Sequence, residues 1–307
     1  MRFLIMGAGA LGSYFGARLV AAGHAVAFVA RGAHLDAMRT RGLSIRSPLG
    51  DLDLDRVRAF ADPAEAGAAD AVLFMVKNYD VSRAGAQLSS VLAEDAVVIT
   101  AQNGITAHKR LADLIGPRRV APGMVYMPAD IPEPGVVGHY SDFSRLVIGP
   151  VMDGNAAVLE PVAAALRGAG IDVEQVEDAD AALWEKFVLL ASIAALTCLT
   201  RLDLGPIRAC PETQHLLRAA LDEAMAVGKA VCPGLTDTAA DRAWSLLQSM
   251  RPDVHASMLD DLQRGKRLEL DYVSGEIQRL GRAHGIATPV HGFANDLLRP
   301  FVDGAPG

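Results

Sequence analysis

The chain has 307 residues, more than one ordinary domain holds, and 51% of them are hydrophobic and 21% charged, which excludes intrinsic disorder and allows a sizeable core. A formal net charge of -7 supplies no basic field, so nucleic acid and anionic membrane surfaces are not expected partners. Cys198, Cys210 and Cys232 are odd in number and lack Cys-x-x-Cys spacing, which argues against a disulfide framework or structural zinc and for inert thiols.

The apolar run from Arg2 to Met6 stops at Gly7, too short for a signal peptide, so a cytoplasmic chain beginning here is expected. That run is the first expected strand. Others are read at Ala25 to Ala30, Ala71 to Val76, Ala96 to Thr100 and Arg119 to Tyr126, alternating with helical patterns as βαβ units do. Leu43 to Arg46 and Leu52 to Asp55, turned by Pro48 and Gly50, read as a small antiparallel excursion. Val136 to His139 and Leu146 to Ile148 read as a second pair, and Ile171 to Glu174 as a final edge strand. Beyond Asp178 long helical periods take over, punctuated by Pro206, Pro211, Pro233, Pro252 and Pro289. The uncharged run from Phe187 to Thr200 is too short to span a bilayer and reads as a buried helix. The expected fold is therefore α/β: a Rossmann-type, mostly parallel sheet domain over residues 1-176, then an all-α helical domain over 177-307, with a ligand cleft shared by the two.

Gly7-Ala8-Gly9-Ala10-Leu11-Gly12 follows the first strand and opens a helix, the context in which such a loop cradles a pyrophosphate. Gly7 permits the tight turn, Gly9 lets the backbone approach the anion, and Gly12 lets the helix pack closely on the strand. Ala10 and Leu11 lie in the first helical turn, whose N–H groups face the anion. Gly16 extends the small-residue face. Arg31 ends the second strand about twenty residues beyond the loop, where NAD-binding folds place an acid for the ribose hydroxyls. A guanidinium suits the 2′-phosphate of NADP instead, the alternative being a solvated surface arginine. His24, His108, His139, His255, His284 and His291 have no metal-ligand spacing, and no metal is expected.

With Val76-Lys77-Asn78-Tyr79, Gln102-Asn103-Gly104, Trp184-Glu185-Lys186, Ser257-Met258-x-x-Asp261, Gly265, Glu269-Leu270-Asp271 and Gly285-Ile286-x-x-Pro289, these features resemble the ketopantoate reductase (2-dehydropantoate 2-reductase) family over nearly the whole chain. The resemblance implies an NADP-dependent oxidoreductase of pantothenate biosynthesis that reduces 2-dehydropantoate or a related small-molecule 2-keto acid. On the same basis Lys186 is the catalytic lysine and general acid. Glu269 is the glutamate that hydrogen-bonds the substrate hydroxyl and also meets the cofactor, Asn103 lies near nicotinamide and substrate, and Lys77 contacts the cofactor ribose. Ser257 matches a substrate-binding serine, although a helix N-cap fits it equally; Asp261 reads as structural.

The helix after Lys186 departs from the family's pattern. Leu190 and Ala194 stand where better-known members carry asparagines, on the lysine's face by helical spacing. Thr197, eleven residues after Lys186, returns to nearly that face and is a candidate replacement for substrate binding. Arg201 either complements the helix C-terminus or reaches a substrate carboxylate. Three functions follow: reduction of ketopantoate or a close relative, reduction of a bulkier carbonyl, or non-catalytic NADPH-dependent redox sensing, against which Lys186 and Glu269 together argue. A homodimer is the expected assembly.

Overall fold

The computed structural model describes residues 1–152 and 158–306. The chain forms two compact units, one of residues 1–102 with 106–179, the other of residues 103–105 with 180 onward.

In chain order the first unit comprises β1 (Arg2–Met6), α1 (Ala10–Ala21), β2 (Ala25–Val29), α2 (Gly32–Arg41), β3 (Leu43–Arg46), β4 (Leu52–Leu54), β5 (Arg58–Phe60), β6 (Ala69–Phe74), α3 (Val81–Leu88), β7 (Leu92–Thr100), α4 (Ala107–Ile115), β8 (Val120–Ala121), β9 (Gly123–Tyr126), β10 (Ala129–Glu133), β11 (Val136–His139), β12 (Arg145–Ile148), α5 (Glu160–Gly168) and β13 (Asp172–Gln175). A six-stranded parallel sheet has the order β5-β2-β1-β6-β7-β8. The order reverses between β1 and β6, so a crevice opens beyond their carboxyl ends, where open α/β sheets bind ligands. Two further sheets, β10-β11-β3-β4 and β13-β12-β9, complete the unit.

Helix α1 lies hard against this sheet. A Cβ on Gly16 would stand 2.2 Å from the Phe28 ring, and one on Gly12 would stand 2.4 Å from the Gly7 carbonyl oxygen. Phe3, Ile5, Phe15 and Phe28 pack into the resulting core.

Two strand expectations need correction. Arg119 to Tyr126 is not one strand: Pro122, which lacks an N–H donor, divides it into β8 in the six-stranded sheet and β9 in the three-stranded one. Val136–His139 and Leu146–Ile148 do not pair with each other, because β11 lies between β10 and β3 while β12 lies between β9 and β13. The partner of β11 is hidden in the sequence by Pro132, which sits where the β10–β11 register is irregular. The Leu43–Arg46 and Leu52–Leu54 pair is antiparallel, as its turn residues require.

The second unit is helical: α6 (Ala179–Thr200), α7 (Leu204–Ala209), α8 (Pro211–Val231), α9 (Thr238–Ser249), α10 (Ser257–Gln263), α11 (Ser274–His284) and α12 (Pro289–Leu298). Helix α6 has 22 residues, longer than its uncharged core suggests, and by length and composition could cross a membrane, but 72% of its apolar window is buried within the protein. Its hydroxyls are satisfied internally, Ser192 donating to Val188 O and Thr197 to Ile193 O, each at 2.7 Å. Trp184 packs edge-on to Phe187 and close to Gly228 of α8, where a Cβ would stand 2.8 Å from the indole. Arg201 follows α6 with φ 60, and its guanidinium lies over the Phe301 ring at 5.4 Å. The three cysteines are free thiols, and burial pushes Cys198 up to about 12.

Helix α8 packs on α7, α9, α11 and α12. Its buried Glu223 accepts hydrogen bonds from the Val290 and His291 N–H groups at 2.8 and 3.1 Å, capping α12 from another helix. His291 is fully buried, which pushes its pKa down to about 4, and Nε2 donates to Ala220 O at 3.0 Å. Glu223→Ala leaves those two N–H groups without their acceptor and is expected to cost about 1–3 kcal/mol in urea denaturation. Glu223→Gln, which keeps one acceptor oxygen, should recover part of the loss.

Candidate active site

Gly7 turns the chain out of β1 with φ 98, a conformation that disfavours any side chain, and a Cβ there would stand 2.7 Å from Val76 N. The Gly7 and Ala8 N–H groups are spent on Val29 O, at 3.2 and 2.8 Å, which ties the loop to the end of β2. The N–H groups of Ala10, Leu11 and Gly12 fall in the first turn of α1 and have no acceptor within the helix. That turn carries no acidic residue and no side-chain cap. A Cβ on Gly9 would meet no protein atom within 4 Å, so the space beside it is open to a ligand. An uncapped helix N-terminus facing an open, glycine-walled space fits the pyrophosphate of a dinucleotide.

The cavity there, of about 290 Å³, is lined by Gly7, Gly9, Arg31, His34, Lys77 and Asp80 among others. Arg31 and Lys77, just past the ends of β2 and β6, the two parallel strands that flank β1, thus line the same cavity as the glycine loop. Gln102 fixes the segment leading to Lys77, its buried amide donating to Phe74 O at 2.8 Å and Val76 O at 3.0 Å. Arg31 Nη1 lies 3.3 Å from Asp80 Oδ2.

Sequence reasoning missed His34 and Asp80. The Gly135 N–H donates to His34 Nδ1 at 3.0 Å, so the ring proton belongs on Nε2, which donates to Ser13 Oγ at 3.1 Å; Ser13 in turn donates to Ala8 O at 3.2 Å. Burial lowers the His34 pKa and keeps the ring neutral. The chain of bonds buttresses the glycine loop, yet its Gly135 end is remote in sequence. Asp80 had a weak local signal, three residues beyond Lys77 at a strand end.

In the second unit Lys186 Nζ donates to Asn103 Oδ1 at 3.1 Å. Burial pushes the ammonium down to about 8 from 10.5, although the residue as a whole keeps partial exposure. Glu269 is 7% exposed and precedes a 3₁₀ turn over Leu270–Tyr272. Ser257 is exposed and occupies the first turn of α10; Ala256 is the N-cap, so the capping alternative for Ser257 fails. Thr197 is not brought to Lys186. Eleven residues of helix separate them by about 16 Å along the axis, and the Thr197 hydroxyl is buried and committed to Ile193 O. Ala194 is likewise buried, whereas Leu190, one turn from Lys186, is partly exposed. Among the described residues no group of His, Cys, Asp or Glu has the arrangement of a metal site.

Gly9→Val adds a side chain where the protein leaves open space and where φ -77 is compatible with any residue. The thermal midpoint should stay unchanged while the NADPH dissociation constant rises at least about tenfold, read by calorimetry.

The sequence model of the family described as "Ketopantoate reductase PanE/ApbA" matches residues 3–153, and that of its C-terminal part matches residues 178–301. The 2-dehydropantoate 2-reductase of Archaeoglobus fulgidus is 34% identical over 99% of this chain and 98% of its own length. That of Halobacterium salinarum is 31% identical over 97% and 98%. The crystal structure of a PanE/ApbA family ketopantoate reductase from Ralstonia eutropha JMP134 superposes with a TM-score of 0.89 at 34% identity, covering 98% of each chain. The chain belongs to the ketopantoate reductase family.

Proposed function

We propose that the chain reduces 2-dehydropantoate, or a related 2-keto acid, to the 2-hydroxy acid with NADPH, Lys186 being the general acid. The observation that carries this reading is the buried Lys186 ammonium held by Asn103 Oδ1 at 3.1 Å with its pKa pushed down to about 8. Enzymes of the family use NADPH, which when bound supplies hydride to a carbonyl carbon. The carbonyl oxygen then needs a proton. An ammonium with a pKa near 8 is charged at neutral pH yet gives up its proton far more readily than a solvated lysine. Asn103 accepts one of the Lys186 N–H bonds and so orients the ammonium from which the substrate oxygen would take its proton.

The cradle residues Gly7, Gly9, Ala10, Leu11 and Gly12 take the pyrophosphate in this reading, Arg31 takes the 2′-phosphate and Lys77 the ribose, while Glu269 and Ser257 position the substrate. The enzyme is taken to be cytoplasmic and homodimeric. Exposed Phe293 and Leu297, one turn apart on α12, supply an apolar patch for a second copy, which light scattering would test.

The partly exposed Leu190 favours a second reading, a substrate bulkier than ketopantoate, because an apolar side chain one turn from the acid cannot pair with a polar substrate group. Loss of NADPH absorbance with ketopantoate and a panel of larger 2-keto acids decides between them. Fast turnover of ketopantoate alone removes the second reading; turnover of a larger acid alone removes the first.

Lys186→Ala is expected to lower kcat by about 10²–10⁴-fold while NADPH still binds. An unchanged rate would sink the assignment. Donation requires the charged form, so the reduction rate should hold below pH about 8 and fall above it. Asn103→Ala removes an acceptor that stabilises the ammonium, and the alkaline limb should move to lower pH. Folding lowers the Lys186 pKa, so the unfolded chain binds more protons between about 8 and 10.5, and this burial penalty is relieved as pH rises through that window.

A further inference from the structure

Arg31 does not face the nucleotide cavity alone. Asp80 lines the same cavity, its Oδ2 lying 3.3 Å from Arg31 Nη1 and its Oδ1 accepting from Arg83 Nη2 at 2.7 Å. The carboxylate stands on a fixed base. The Asp80 N–H donates to Lys77 O at 2.9 Å, closing the turn ahead of α3, and Arg110 Nη1 donates to Asn78 O at 3.0 Å within the same turn. The Arg31 side chain is 55% exposed against 23% for Asp80, so the guanidinium is the movable partner.

We propose that Asp80 is a specificity-determining residue that weakens the preference of this chain for NADPH over NADH, by competing with the 2′-phosphate for Arg31. The inference rests on the reading that the cavity binds NADPH. A 2′-phosphate seated on Arg31 places a group of nearly two negative charges on the far side of a guanidinium already bonded to a carboxylate. A 2′-phosphate drawn to Arg31 would be repelled by the Asp80 carboxylate on the same guanidinium, and part of the Arg31 bonding to Asp80 would have to be given up. NADH has no such conflict. Its 2′-hydroxyl is a donor, and a carboxylate oxygen at the cavity wall is an acceptor for it, the role an acid plays in NAD-binding folds. Here the arginine that reads phosphate and the acid that opposes it share one cavity, and the acid comes from the turn before α3 rather than from the end of β2. His34, also on the cavity wall, brings no competing charge, because both ring nitrogens are engaged within the protein and the ring is neutral.

The test is calorimetric binding of NADPH and NADH, without substrate, to the full chain and to Asp80→Asn, which keeps shape and one acceptor oxygen but removes the charge. Adenosine 2′,5′-bisphosphate and 5′-AMP serve as fragments that isolate the 2′-phosphate. Asp80→Asn is expected to tighten NADPH and the bisphosphate roughly fivefold and to leave NADH and 5′-AMP no tighter than before. In an Arg31→Ala background the gain should be smaller, because the competition is then absent. Thermal midpoints check that each variant is folded, and Asp80→Ser stands in if the Asn variant is not. An unchanged NADPH-to-NADH ratio, or weaker NADPH binding by Asp80→Asn, overturns the proposal; the latter would make Asp80 a residue that pre-orients Arg31 for phosphate. If neither dinucleotide binds the unaltered chain, the reading of the cavity fails and this inference falls with it. If NADPH binds and the ratio is unmoved, only the inference fails.

Discussion

Helix α1 approaches β1 and β2 so closely that no side chain fits between them at Gly12 or Gly16, where a Cβ would stand within 2.4 Å of a backbone oxygen or an aromatic ring. The rest of the first unit depends on that approach. It fixes the direction of α1 relative to β1, so the helix N-terminus meets the carboxyl end of the sheet at the point where the strand order reverses. The two parallel strands that flank β1 then deliver Arg31 and Lys77 to the same cavity. The cradle is held from outside as well, through the bonds that run from Gly135 by way of His34 and Ser13 to Ala8 O.

Lys186 and Arg31 each have a partner within the protein before any ligand arrives. Lys186 has the amide oxygen of Asn103, a neutral acceptor that orients the ammonium without cancelling its charge. Burial of the ammonium then lowers its pKa to about 8, so it is charged at neutral pH but holds its proton less tightly than a solvated lysine. Arg31 has a carboxylate, which does cancel charge and which an anionic ligand must oppose. An amide partner leaves the Lys186 charge whole, whereas a carboxylate partner offsets that of Arg31.

Much of the site was legible because its signals are local. The glycine loop, Arg31 at the end of the second strand and Lys77 after the expected strand at Ala71 to Val76 are defined by position relative to their own strands, and the parallel sheet brings such strand ends together in any fold of this class. Ser257 could not be read this way. Its neighbour Ala256 is the N-cap, a shift of one residue that spacing does not resolve. Thr197 shares a helical face with Lys186 in projection, but projection ignores rise, and the residue is buried with its hydroxyl bonded to its own helix. Strand pairing failed where proline intervened: Pro122 divides one apolar run between two sheets, and Pro132 conceals β10.

The sequence by itself determined the two-part α/β and helical architecture, the nucleotide-binding loop and the lysine on the long apolar helix, because periodicity, glycine placement and charge are properties of short segments. Only the tertiary structure decided that Asn103 accepts from Lys186 across 83 positions of chain, that Asp80 meets Arg31 across 49, and that His34 supports the loop through Gly135 across 101. Those contacts are set by strand order and by the turns between elements, and no local pattern encodes which distant side chain the fold will place within hydrogen-bond reach.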